Sequence, residues 1–157
     1  MKIVRIIRLI SLSVLFAGSA AIVFAAITLV KAAEATGISV TEAATRNAPL
    51  FIQFSNITIV CAFLLLLAES IDFAVHKNLS KLALTRYIAS GLCIAACIVF
   101  SFGIIPPMKA LLPQISSDPA AHAQFTKLHS MSRGVFGASI LFALISLIIP
   151  VTGKKES

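Results

Sequence analysis

Polar side chains at the edge of a long apolar segment are the first candidates for chemistry. His129, Ser132, Phe136 and Ser139 follow one another at intervals of three, four and three residues, which places them on one helix face. A histidine there can bind a ligand or titrate near neutral pH, or it can pair with an amide or carbonyl and fix its helix in place. Both interpretations stay open at this point. The predicted polar cluster consists of His129, Ser132, Asn56, Gln53, Arg46 and Arg133.

Two amides provide the expected partners of this histidine. Gln53 and Asn56 are three residues apart, near the start of another apolar segment. An amide in lipid is costly unless it is paired, so we expect both to face the interior of a helix bundle. The cluster would then lie at one mouth of the bundle.

Acidic side chains at the other end of that segment form a weaker candidate. Glu69, Asp72 and His76 occur at positions i, i+3 and i+7, on one helix face. They could form a weak metal or proton site. Alternatively they solvate a helix end or form ion pairs. Basic partners in reach are Lys77, Lys81 and Arg86.

The three cysteines all lie inside apolar segments. Cys93 and Cys97 are four residues apart, and Cys61 is expected at a similar depth. Facing thiolates would suit a soft metal such as Cu(I), whereas the alternative is that each cysteine packs as a small hydrophobic residue. Packing is the interpretation that we favour, and we predict no metal site.

Further cofactor and catalytic motifs are not indicated. His122 precedes His129 by seven residues, too far for one metal ion, and His76 is expected at the opposite surface, which disfavours a bis-histidine haem. No Gly-rich phosphate loop, nucleophile elbow or Cys-x-x-Cys pair occurs. The sequence therefore offers no positive sign of an enzyme, and we expect no cofactor.

Composition indicates the elements that would position these residues. Of the 157 residues, 59% are hydrophobic and 12% charged. Uncharged apolar stretches of about 18 or more residues are candidate membrane spans. Four occur, at 9–30, 50–68, 87–105 and 134–151, and they predict spans at about 9–30, 50–68, 87–105 and 130–150. The basic start also resembles a secretory signal, but the first stretch exceeds a signal core, so we expect it to be retained. The predicted fold is an all-α antiparallel four-helix transmembrane bundle, with one domain over 1–157.

Caps and prolines predict where the helices begin and end. Asp118 and Pro119 are a good cap and first residue for a helix that continues to about Ile149. The run 39–42 has capping-box spacing, so 40–46 forms either a short interfacial helix or an ordered loop. The adjacent Pro106 and Pro107 predict a sharp end to the third span.

Rows of small residues predict close helix contacts. Such rows allow neighbouring helices in a membrane to approach closely. The three rows are Ala17, Ala21 and Ala25; Ala89, Cys93, Cys97 and Ser101; and Ser130, Gly134 and Ala138.

The basic residues predict the orientation. The net charge of +7 lies in tails and loops, which fits the positive-inside rule better than nucleic-acid binding. With both termini in the cytoplasm, eight basic residues lie inside and five outside. The inner set is Lys2, Arg5, Arg8, Lys77, Lys81, Arg86, Lys154 and Lys155. We predict an N-in/C-in, multi-pass protein of the plasma (cytoplasmic) membrane, with the lipid bilayer as its first partner.

A short motif carries a resemblance to a known family. Phe125-Thr-Lys-Leu-His129-Ser-Met-Ser132, at the start of the last span, resembles the F-x-x-L-H-x-x-S element of the transmembrane protein 205-like family. The runs 48–51 (APLF) and 105–108 (IPPM) also look similar to the family pattern. The family often has Asn seven residues after the histidine, where this chain has Phe136. The resemblance implies a small four-helix membrane protein with a domain of unknown function.

These observations predict a non-enzymatic protein that binds or assembles with another membrane protein, or with a second copy of itself. One alternative is a transporter or handler of a small solute or metal ion that uses the polar cluster at the extracytoplasmic mouth. A third is a membrane oxidoreductase linked to haem or quinone.

Overall fold

The computed structural model describes residues 2–75 and 80–152, and all of its regular structure there is helical. The elements are, in chain order, α1 (Lys2–Ser13), a π-helical turn (Val14–Gly18), α2 (Ser19–Ala35), α3 (Val40–Val75), α4 (Lys81–Ile98), a second π-helical turn (Val99–Ile104), α5 (Ile105–Leu111), a 3₁₀ turn (Leu112–Gln114) and α6 (Pro119–Thr152).

Four helical stretches are long and apolar enough to cross a membrane. They are the first span (Lys2–Ala35), the second (Glu42–Val75), the third (Lys81–Gln114) and the fourth (Pro119–Ile149). Each is about 46 to 51 Å long, at roughly 1.5 Å per residue, which exceeds the ~30 Å hydrocarbon core. The prediction of an all-helical protein with four potential membrane spans is confirmed, and each helix extends beyond its predicted apolar stretch.

Polar caps begin and end these helices. The Asp118 side chain accepts a hydrogen bond from the Ala120 amide at 2.8 Å, which confirms the predicted start of α6. The Ser39 hydroxyl accepts one from the Glu42 amide at 3.2 Å and starts α3. α2 ends at Ala35, and two residues later Gly37 has a φ of +83°, a left-handed conformation that closes a helix and favours glycine.

Prolines were predicted to end helices, but in the structure the helical segments continue through them. Pro49 lies inside α3, so the cap at Ser39 starts the second span itself rather than a separate short helix or a loop. Pro106 and Pro107 occupy the first turn of α5, where a missing N–H costs little. The preceding π-helical turn joins α5 to α4, with the Ile105 amide donating to the Phe100 carbonyl. The predicted sharp end at these prolines is therefore wrong.

Residue pairs show how the spans pack. The third span makes its most extensive contacts with the fourth, and the second span contacts the first and the third. Ser90 contacts Ser146, and Phe100 contacts Phe136, so residue numbers rise along one helix as they fall along the other. Ser90 and Phe100 are ten residues apart, so a polar layer and an aromatic layer lie about 15 Å from each other along the third span.

Only one of the three predicted small-residue rows faces a neighbouring helix. The row that begins at Ala89 is buried. Ala17 and Ala21 are exposed, and so are Ser130 and Gly134, whereas Ala25 and Ala138 are half-buried, so most of these two rows faces away from the other helices. In the first span the contact falls one residue later. There a Cβ on Gly18 would come within 3.2 Å of the Phe54 ring.

Candidate functional site

A buried charge cluster joins three spans at one end of the molecule; we define it as Arg8, Glu69, Asp72 and Arg86. Arg8 is 6% exposed and Glu69 is 7% exposed. The Arg86 guanidinium forms an ion pair with Glu69 at 3.1 Å and another, shorter one with Asp72. It also lies 4.3 Å from the centre of the Tyr87 ring. The two positive charges of the cluster are thus equal in number to its two negative charges.

Hydroxyl groups extend the cluster to the fourth span. Ser90 donates to Glu69 Oε1 at 2.8 Å, and the Ser90 and Ser146 oxygens are 2.7 Å apart. Because the single Ser90 proton is used on Glu69, Ser146 donates to Ser90. Tyr87 donates to Asp72 at 2.9 Å. The second, third and fourth spans therefore contribute side chains to one hydrogen-bonded network, and Arg8 of the first span interacts with it electrostatically.

This network constrains how the helices pack, because its charged groups interact with one another. Arg8 comes from the first span and interacts electrostatically with Glu69, Asp72 and Arg86. Of the two alternatives to a metal or proton site, ion pairing occurs, because Glu69 and Asp72 both pair with Arg86; Glu69 is buried and the Asp72 side chain is 16% exposed. His76 lies outside the described residues. A buried ion pair that loses one partner leaves an uncompensated charge, so these residues strongly constrain how the helices pack.

The cysteines lie in the apolar core between the two ends of the bundle. Cys61, Cys93 and Cys97 belong to one cluster of buried residues that also contains Leu12 and Leu65. The Cys93 thiol faces the Ser139 carbonyl at 3.4 Å. Among residues 2–75 and 80–152, no group of three or more His, Cys, Asp or Glu side chains has an arrangement that could hold a metal ion.

The opposite end of the bundle contains a lateral cavity of about 530 Å³, and all four spans line it. We call it the lateral cavity. Its wall is mostly apolar, and its floor is formed by Phe100 and Phe136, whose ring centres are 4.7 Å apart. Phe136 also makes edge contacts with Phe51 at 5.9 Å and Phe54 at 6.2 Å. The aromatic floor closes the cavity towards the core.

The polar residues that line the lateral cavity are near one end of it, where Lys31, Glu34 and Arg133 are exposed; we call this end the mouth. They are Lys31, Glu34, Asn47, His129, Ser132 and Arg133. His129 is half-buried, and its ring stacks on Phe125 with ring centres 6.2 Å apart. Ser132 donates to the His129 backbone carbonyl at 2.7 Å, so this hydroxyl is satisfied on its own helix. Arg133 and Lys31 are exposed, and neither pairs with a carboxylate of any described residue.

The structure divides the predicted polar cluster among three places. His129, Ser132 and Arg133 line the lateral cavity. Gln53 and Asn56 are exposed and line a separate surface pocket. The expectation that these amides face His129 inside the bundle is therefore wrong.

The residues beside these amides explain why the two side chains are exposed. Phe54, Ser55 and Thr58 hold the buried face of α3, so Gln53 and Asn56 point away from it. Arg46 is exposed and pairs with Glu42 at 2.7 Å, one helical turn away.

Several residues of the two sites were not identified from the sequence. Arg8 was counted only as a basic terminus, although it shares a helix face with Leu12 and Leu15. Ser146 is another such residue, and the signal for it is visible, because it continues the seven-residue spacing of Ser132 and Ser139, which are also buried. Lys31 and Glu34 had no signal beyond their place at a helix end.

Comparison of the chain with protein-family models, curated proteins and solved structures gives no match. The resemblance to the transmembrane protein 205-like family therefore stays a prediction.

Proposed function

We propose that this protein is a non-enzymatic integral membrane protein that acts by binding, and that its ligand is a hydrophobic or amphipathic small molecule taken from the bilayer. The lateral cavity carries this proposal. Its volume of about 530 Å³ lies within the range of small-molecule sites, which are mostly apolar with a few polar groups. A cavity open on the side of a membrane helix bundle can admit a lipid-like molecule directly.

The chemistry of the cavity mouth favours binding over catalysis. A nucleophile needs an adjacent base within hydrogen-bond reach. The Ser132 hydroxyl instead donates to a backbone carbonyl, and the His129 ring stacks on Phe125. Handling of a small solute or metal ion, and haem- or quinone-linked redox chemistry, stay alternatives. Bound metal or a Soret band in the purified protein would favour one of these over simple ligand binding.

A sole tryptophan tests occupancy of the cavity, because the natural sequence contains none. Phe51→Trp places the reporter in the cavity wall, and Phe102→Trp places a control on a surface that is 65% exposed. We expect a doxyl-labelled single-chain amphiphile in phosphatidylcholine nanodiscs to quench Phe51→Trp at lower concentration than Phe102→Trp. Equal quenching of the two would contradict the proposal, because it would indicate ordinary annular lipid.

A pair of glycines provides the matched block of the cavity. Gly137 lines it, and an added Cβ there would meet no atom within 4 Å; the same is true of the exposed Gly91, which does not line it. We expect Gly137→Phe to abolish the preferential quenching and Gly91→Phe to leave it unchanged. Identical quenching curves for the two variants would also contradict the proposal.

We further propose an antiparallel bundle in the plasma (cytoplasmic) membrane, with both termini in the cytoplasm. The opposed pairing of residue numbers and the eight-to-five distribution of basic residues support it. A membrane-impermeant thiol reagent should label cysteines placed at Lys109 or Ser117 in intact cells, but not at Lys81. Labelling at Lys81 would contradict this orientation and favour the opposite one.

A membrane-protein partner or a second copy of the chain is the second candidate ligand. The two small-residue rows that face away from the bundle favour it, because such rows support close helix contact in membranes. Disulfide cross-linking through a cysteine at Ala21, with Phe24 as the control position, would detect a symmetric copy.

A further inference from the structure

We propose that the lateral cavity selects a long-chain amphiphile with a single negative charge, a long-chain carboxylate, whose headgroup binds Arg133 and Lys31. This inference rests on the proposed function, since it names the class of ligand that the cavity binds. Three observations carry it: the polarity of the cavity changes along its length, the charges at its mouth sum to one positive charge, and the Arg133 guanidinium has no carboxylate partner within the described chain.

The first observation is the direction of the polarity change. Along the first span the lining changes from Val23 to Lys31, about 12 Å further along the helix axis. Along the fourth span it changes from Ile140 to Arg133, about 10 Å away in the opposite chain direction. Both spans therefore place the charges at the same end of the cavity. An amphiphile with its head at that end and its chain towards Phe100 would match this arrangement.

The second observation is the charge at the mouth. Lys31 and Arg133 contribute +2 and Glu34 contributes −1, so the fixed charge is +1. One negative charge neutralises it, whereas a phosphate monoester with nearly two charges would exceed it. A cation would face net repulsion. The charge balance thus favours a carboxylate over a phosphate monoester.

The third observation is the state of the cationic groups. Arg86 at the other end pairs with Glu69 and Asp72, whereas Arg133 is exposed and pairs with no carboxylate of the described residues. A guanidinium presents two parallel N–H groups that match the two oxygens of a carboxylate. Arg133 is therefore the group best placed to bind the headgroup, with Lys31 across the mouth.

A matched pair of probes isolates the headgroup charge. Doxyl-labelled stearate and its methyl ester share chain and label and differ only in the negative charge. In phosphatidylcholine nanodiscs at mildly alkaline pH, we expect half-maximal quenching of Phe51→Trp at a roughly tenfold lower concentration of the acid than of the ester, beyond the ratio measured with Phe102→Trp. That control corrects for the different partition of the two probes into the bilayer.

Three charge variants in the Phe51→Trp background test the assignment residue by residue. Arg133→Gln should remove most of the preference for the acid, and Lys31→Gln should lower it. Glu34→Gln should increase it, because the fixed charge rises from +1 to +2. Lys127→Gln is the control, since Lys127 is an exposed cation of the same helix that does not line the cavity. Opposite signs for Arg133→Gln and Glu34→Gln cannot result from a general loss of folding.

Each outcome separates this inference from the proposed function. Equal binding of acid and ester at the Phe51→Trp reporter would overturn the carboxylate and leave the cavity as a general hydrophobic site. Equal quenching of both reporters by both probes would overturn the proposed function itself. Acid preference that survives Arg133→Gln and Lys31→Gln would overturn the headgroup assignment. Stronger competition by a long-chain alkyl phosphate than by oleate would overturn the choice of carboxylate.

Discussion

The two ends of this bundle use the same residue types in opposite ways. At one end Arg8 and Glu69 are buried, and the half-buried Arg86 and Asp72 pair with each other beside them. At the other end Arg133 lies at the mouth of a cavity, without a carboxylate partner among the described residues. The comparison indicates that charges with internal partners contribute to the fold, and the proposed ligand would use a charge that has no such partner.

The hydroxyl groups follow the same division. Ser90 bonds both to Ser146 and to Glu69, so it connects three different spans. Ser132 bonds to the carbonyl of His129 on its own helix. Hydrogen bonds between spans resist separation of the helices, whereas a bond within a helix does not. We therefore expect substitutions at the charged end to change stability, and those at the cavity mouth to change binding.

The largest expected effect is the loss of Arg86. Arg86→Leu leaves two carboxylates buried without this partner, and we expect it to lower the free energy of unfolding by about 3 to 5 kcal/mol. Arg46→Leu removes an exposed pair within one helix and should cost less than about 0.5 kcal/mol. SDS-induced unfolding from mild detergent, followed by circular dichroism, measures both. Similar midpoints for the two variants would contradict the claim that the charge cluster stabilises the bundle.

The second largest effect is expected at Phe136, and it tests whether apolar packing stabilises the end of the bundle that contains the cavity. Phe136→Ala removes the ring that contacts Phe51, Phe54 and Phe100, and should cost about 3 kcal/mol. Phe102→Ala removes an exposed ring and should have little effect. The same unfolding assay compares them. An unchanged midpoint for Phe136→Ala would mean that the cavity floor does not hold the bundle together.

Two buried serines sharpen the comparison between the ends. Ser90→Ala breaks the hydrogen bonds to Glu69 and Ser146, and should lower the free energy of unfolding by about 1.5 kcal/mol. Ser132→Ala loses only the bond to the His129 carbonyl and should change it by less than about 0.5 kcal/mol. Equal losses measured in parallel would show that the connection between spans adds nothing.

The smallest expected effect is at His129. His129→Ala removes the ring that stacks on Phe125 and should lower stability by about 0.5 kcal/mol. His129→Phe keeps an aromatic ring and should restore most of the loss, whereas His129→Gln should not. Rescue by glutamine but not by phenylalanine would indicate a hydrogen-bonded histidine and would reopen the predicted polar cluster. Thermal unfolding in detergent is sensitive enough to separate these variants.

The candidate sites were only partly predictable because helical spacing reports a face but not what that face contacts. Spacing correctly placed Ser132, Phe136 and Ser139 on one buried face. The same argument could not show that Gln53 and Asn56 point away from His129, because this depends on which side of α3 packs on its neighbours. Arg8 shows the reverse case, since a residue counted as a terminal charge became buried through contacts with distant helices.

The sequence by itself determined the elements of this protein. Long apolar runs specify helices that can cross a membrane, because lipid leaves backbone groups no partner outside the helix, and the cap at Asp118 specifies where the last helix begins. Only the tertiary structure decided which charges are shared internally. Glu69 and Arg86 are 17 residues apart in the sequence, and Ser146 is 56 residues from Ser90. Pairing over such distances is set by the packing of whole helix faces, and that packing fills one end of the bundle and leaves a cavity at the other.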